Sequence, residues 1–133
     1  MVGKPKVQHH FDWYKQNSNG KRISCTLFGL DLAGKAFNHG GNYVIWCGAD
    51  KQTGKSAQTV HVGQGQFRDR FSEHRKDPRI IKYRHRTLYI EWADAPEPTR
   101  SGIERFLEQQ LGPLEGERHP NLPPIPVNLS WDK

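Results

Sequence analysis

An α/β fold of the α+β kind, a small mixed or antiparallel three-stranded sheet flanked by helices, is the architecture this sequence predicts. Three observations lead there. Asn42–Cys47, Thr59–Gly63 and Thr87–Trp92 are short runs rich in β-branched and aromatic residues and read as strands. Two later stretches repeat their apolar residues at helical spacing. The resulting order β-β-α-β-α gives each helix a sheet face to cover. The 133 residues suit one such unit with a core able to fold unaided.

Residues 1–40 read as a peripheral arm. Within it Ile23–Phe28 is apolar and β-prone, flanked by the turn formers Asn17–Gly20 and Asn38–Gly41, which allows one strand or a short helix. The core then spans residues 41–113. It opens with Asn42–Cys47 and Thr59–Gly63 as a hairpin around the polar loop Gly48–Gln58. Strand alternation places Tyr43, Ile45 and Cys47 on one face and Val44 and Trp46 on the other. Gln66–Lys76 reads as a helix, with Phe67, Phe71 and His74 forming one buried stripe. Asp77-Pro78 stops it and starts a short helix over Arg79–Ile81. After the third strand, Ala95–Pro98 reads as a loop. Ser101–Leu111 is the second helix, with Ser101 and Glu104 at capping-box spacing and Gly112-Pro113 as its stop. Residues 114–133 form a proline-rich tail, extended, laid on the core and pinned by Ile125, Val127 and Trp131.

Composition narrows the function. Twenty Lys and Arg oppose 14 Asp and Glu, a net charge of +6. Between Arg68 and Arg86 eight basic residues face three acidic ones, so that stretch alone carries +5. Such a focus is the footprint of a polyanion, nucleic acid first, or else the solvated face of a basic protein. No apolar run approaches the roughly 18 residues of a membrane span, so no membrane partner is expected. The N-terminus lacks the apolar stretch of a secretion signal, and two cysteines are too few for a disulfide scaffold; a cytoplasmic location is the expectation.

Several motifs lack their context. Ala49-x4-Gly54-Lys55-Ser56 imitates a phosphate loop but leads into a strand rather than a helix. Gly63-x-Gly65 lacks the third glycine of a dinucleotide fingerprint. His9-His10 has no second ligand pair for a metal. Asn128-Leu129-Ser130 is a glycosylation sequon without a sign of secretion.

One ordered set holds together: Gly41-Asn42-Tyr43 opening the first strand, His61-Val62-Gly63 closing the second, Arg70 on one helix and Glu104 on the next. With Val60–His74 and Ser101–Leu107 in their proper places, the stretch from Gly41 to Leu111 resembles the GIY-YIG nuclease family. The resemblance implies metal-dependent hydrolysis of DNA phosphodiester bonds, with one divalent ion, Mg²⁺ or Mn²⁺. By resemblance Tyr43 matches the family's first tyrosine, and His61 stands where the second normally sits. Arg70 matches the helical arginine, with Arg68 as the fallback because the preceding loop is one residue short. Glu104 matches the metal-binding glutamate. Asn128 and Asn121 compete for the family's late asparagine.

The residue types suit that chemistry on their own terms. A carboxylate such as Glu104 holds a hard cation while leaving it several waters. A guanidinium such as Arg70 matches phosphate oxygens with a fixed fork. An imidazole, with a reference pKa of about 6.5, accepts a proton from water more readily than a phenol at about 10, so His61 is a workable replacement for tyrosine. His74, one turn past Arg70, is a further candidate for proton relay. Arg68, Arg75, Lys76, Arg79, Lys82 and Arg84 are candidate phosphate contacts. Each has a plainer alternative: Tyr43 and His61 as sheet residues, Arg70 pairing with Glu73 or Glu104, Glu104 as a helix cap. Two other functions stay open: a non-catalytic nucleic-acid binder on the same fold, and a protein-interaction module using Leu122–Pro126 as an extended ligand.

Overall fold

The computed structural model describes residues 13, 25–116 and 123–129. His9-His10, Asn121, Leu122 and Trp131 lie outside the described residues. The hairpin forms where β-branched and aromatic residues predominate: β1 is Cys25–Thr26, β2 Gly40–Cys47, β3 Gln58–Gln66 and β4 Leu88–Asp94. They build one sheet of four strands in the order β1-β4-β2-β3, antiparallel throughout. This corrects the three-stranded expectation. After β4 has paired with β2, its other edge is open, and Cys25 and Thr26 pair with Ile90 and Tyr89 along it. Two residues are too few for alternation to reveal a strand, and a 3-10 turn over Leu27–Gly29 follows at once.

The sheet has a core on each face, as the alternation requires. On one side Tyr43, Ile45 and Cys47 of β2 and Leu88, Ile90 and Trp92 of β4 pack with Leu27 and Phe37 of the arm. Helix α1, Phe67–His74, closes this core with Phe67 and Phe71; its stripe of Phe67, Phe71 and His74 is buried. On the other side Val44, Val62 and Ala93 meet helix α3, Glu97–Leu111, through Ile103, Phe106 and Leu107. Fully burying an aliphatic or aromatic side chain of this size contributes about 1.5–3 kcal/mol, so both helices are fixed to the sheet chiefly by these stripes.

Between them, helix α2 is the single turn Pro78–Ile81, capped by the Asp77 carboxylate, which accepts from the Arg79 backbone N–H at 2.9 Å. Helix α3 starts four residues before the expected Ser101. Pro96 is its N-cap, and a proline in the first turn forfeits only an amide that has no intrahelical partner. Ser101 and Glu104 are therefore interior to the helix and do not form a capping box; the Ser101 hydroxyl accepts from the Gln64 side-chain amide at 2.9 Å. Gly112 ends the helix in the left-handed conformation at φ +55°. The later segment lies on α3: the Ile125 N–H donates to the Gly102 carbonyl at 2.9 Å, Val127 is buried, and the Trp13 indole donates to the Asn128 carbonyl at 2.9 Å. No helix among the described residues is long and apolar enough to cross a membrane.

Candidate active site at the margin of the sheet

β3 is the strand at one end of the sheet, and its irregularities shape the site. Ile45 pairs with His61 but Trp46 pairs with Thr59, so Val60 is an extra residue, a bulge. The bulge leaves Val60 in the first core and aims His61 to the same face as Tyr43, with ring centroids 6.1 Å apart. Two glycines then make room. Gly63 pairs with Tyr43, and a Cβ there would lie on the phenol ring and hydroxyl. Gly65 has φ +131°, a conformation side chains rarely adopt, and a Cβ there would sit 3.0 Å from Cγ of Arg70. The sequence Val62-Gly63-Gln64-Gly65 thus seats the Tyr43 ring and the Arg70 stem.

Beside β3 lies a cavity of about 300 Å³. His61 of β3 forms one wall, Arg70, Glu73 and His74 of α1 another. Asp77 and Arg79, at the start of α2, close one end; Glu104 of α3 and Gly116 complete it. Because α1 and α3 cover opposite faces of the sheet, Arg70 and Glu104 meet only around its margin.

Tyr43 stands behind this cavity rather than in it. It is fully buried, and its hydroxyl lies 2.5 Å from His74 Nε2. Burial, reinforced by His61 and Arg70, pushes the His74 pKa down to about 3. Burial likewise raises that of Tyr43 to about 12. At neutral pH the phenol therefore donates to a neutral His74. His61, whose ring centroid is 4.6 Å from that of His74, is held below its ordinary pKa, first by burial and then by Arg70 and Arg79. Its Nδ1 lies 3.3 Å from the Glu115 carbonyl, while Nε2 is buried without a partner. Since a carbonyl only accepts, Nδ1 carries the proton and Nε2 keeps its lone pair. Arg70 pairs with Glu73 at 2.8 Å, and its Nε is buried without a partner.

The basic residues divide into two sets. Arg68 and Arg75, expected at phosphate, are turned inward. Arg68 donates to the carbonyls of Leu32 at 2.6 Å and Gly34 at 3.1 Å. Arg75 donates to those of Leu27 at 3.0 Å and Leu30 at 2.5 Å. The short turns of the arm leave carbonyls without helical partners, and a long forked side chain satisfies two at once. Arg86 is buried on Gly48, Ser56 and Gln58 in the same way. Lys76, Arg79, Lys82 and Arg84 remain exposed. Of these, Arg79 pairs with Asp77 at 3.1 Å, Lys82 pairs with Glu115 at 3.0 Å, and Arg84 stacks on Phe28. Asn128 is not a cavity residue; its segment lies on α3.

Glu104 is the residue that would hold a divalent ion. Among the described residues no three His, Cys, Asp or Glu side chains converge to bind a metal by themselves. The cavity lining carries three carboxylates, Glu73 paired with Arg70, Asp77 paired with Arg79, and Glu104; an ion held on Glu104 and otherwise hydrated would sit beside imidazoles kept neutral by burial. Pattern reasoning missed Glu73, Asp77 and Gly116 as cavity residues, and above all Glu115, which acts through its backbone; only the brevity of the link between Gly112 and the proline-rich tail hints that the chain turns back there. Comparison of the chain with protein-family models, with curated proteins and with solved structures gave no match.

Proposed function

We propose that this protein hydrolyses DNA phosphodiester bonds in the manner of the GIY-YIG nucleases, with a divalent metal ion as cofactor. The observation that supports the reading most is the convergence of His61, Arg70, His74 and Glu104 on one cavity, with Tyr43 bonded behind them. These residues are up to 61 positions apart in the chain, and α3 begins too early for Glu104 to be a cap.

In this reading the unpartnered Nε2 of His61 removes a proton from the attacking water. Arg70 places its guanidinium on the phosphate oxygens as negative charge builds there. Tyr43 acts on His74, fixing that ring beside His61. Glu104 holds the metal ion, which when bound supplies Lewis acidity at the phosphate. The products are a 5′-phosphate and a 3′-hydroxyl, as in the family.

The test is incubation of supercoiled plasmid, single-stranded and branched DNA with the purified protein, with and without Mg²⁺. Metal-dependent nicking that Glu104→Ala and Arg70→Ala both abolish is the expected result. Nicking by either variant at the parental rate rejects the assignment. Undiminished DNA affinity with no cleavage in Mg²⁺ or Mn²⁺ replaces it with a non-catalytic binder.

A further inference from the structure

The strand at the end of a sheet presents backbone groups that have no neighbour. Here the chain itself supplies one. Past Gly112 it turns back along β3, where the Leu114 N–H donates to the Thr59 carbonyl at 3.0 Å and the Glu115 N–H to the Val60 carbonyl at 2.8 Å. Val60 is the extra residue of the bulge, so this segment docks at the point where β3 departs from regular pairing. Docking there brings the Glu115 carbonyl to His61 Nδ1.

The Glu115 side chain is held from the opposite direction. Its carboxylate accepts from the Tyr83 hydroxyl at 2.9 Å and pairs with Lys82 at 3.0 Å. Tyr83 packs against the first core, so the clamp is anchored in the body of the protein. Lys82 above all, with Tyr83, holds the Glu115 carboxyl below the usual carboxylate range, keeping it an acceptor. One residue therefore grips the α2 side of the cavity with its carboxylate, β3 with its N–H and His61 with its carbonyl.

We infer that Glu115 is the positioning residue of His61: by accepting the Nδ1 proton on its carbonyl, it selects the tautomer whose Nε2 keeps its lone pair. A neutral imidazole has two tautomers, and the hydrogen bond at one nitrogen decides which is present. Without this acceptor the proton divides between the nitrogens, and an Nε2–H cannot take a proton from water. The inference deepens the proposed reaction and rests on it for its catalytic meaning, but the tautomer is observable whether or not the protein cuts DNA.

The test is long-range ¹H–¹⁵N correlation of the imidazole nitrogens in full-length ¹⁵N-labelled protein at pH 7.5, with His61→Gln to assign the signals. Wild-type protein is expected to show His61 protonated at Nδ1 alone. Glu115→Ala should give a mixture of tautomers. Glu115→Gln, which keeps an oxygen for Tyr83 and Lys82, should restore the single form. Plasmid nicking should fall about tenfold in Glu115→Ala and recover in Glu115→Gln, the scale seen when the outer partner of a functional imidazole is removed. If Glu115→Ala does not fold, the double variant Lys82→Met/Tyr83→Phe releases the same carboxylate and should give the same mixture. A wild-type His61 protonated at Nε2, or an unchanged tautomer in a folded variant of either kind, overturns the inference. A wild-type protein with the expected tautomer response that never nicks DNA counts against the nuclease reading and leaves the positioning role standing.

Discussion

His61 and His74 face each other on the Tyr43 side of the sheet, and burial keeps both imidazoles neutral. The cost appears in folding. The folded pKa of His74 is about 3, against 6.5 for a free histidine. Between those values the unfolded chain binds a proton that the folded chain excludes, so stability is fully present above 6.5 and declines as the pH falls through the window. The depressed pKa of His61 acts with the same sign. Urea denaturation at pH 7.5 and 5.0 should show a loss on the order of 1–3 kcal/mol, and His74→Gln should flatten the dependence. Space is as tightly set as charge. Gly63→Ala puts a methyl group into the Tyr43 ring, and thermal denaturation should show destabilisation of about 1–3 kcal/mol. Tyr43, His61, Arg70 and Glu104 were legible in the sequence because residue type and order carried them. Glu115 was not, because it reaches His61 through a carbonyl that every residue possesses.

At the level of elements, pattern and outcome part where a local rule has two readings. Pro96 and Pro98 read as loop residues because proline breaks helices, yet in the first turn of α3 they are well accommodated. That shift changes the meaning of Glu104. As a cap its removal would cost about 1 kcal/mol of stability; as a cavity residue its loss should register in the reaction. Glu104→Gln is expected to leave urea stability within about 0.5 kcal/mol of wild type and to lower the metal-dependent nicking rate by about 100-fold or more. The hairpin, α1 and β4 were legible because each presents an uninterrupted period to one core. The two-residue β1 and the bulge at Val60 were not: the first is too short to show a period, and the second depends on how β2 pairs.

Across the whole molecule the positive charge divides into two sets. Arg68, Arg75 and Arg86 hold backbone segments together, whereas Lys76, Arg79, Lys82 and Arg84 are exposed, and of these Arg79 lines the cavity. The two sets should separate experimentally. If the proposed DNA binding places all four exposed cations on the duplex, log affinity should fall against log salt with a slope of roughly −3 to −4. Lys76→Ala with Arg84→Ala should reduce that slope by about 2. Arg75→Met should leave the slope unchanged and lower stability by about 1–3 kcal/mol, measured by urea denaturation. Charge density along the chain raised the expectation of a polyanion partner, but it could not say which guanidinium groups the arm would claim, since that depends on contacts between residues more than 30 positions apart.

A cavity set on the rim of a sheet, with one wall from each of its faces, also constrains what a long polymer can do there. A strand can run past the opening and offer any internal linkage without first feeding a terminus through a tunnel. Under the proposed nuclease reading, such an entrance favours breaks in the middle of a chain over trimming from its tip.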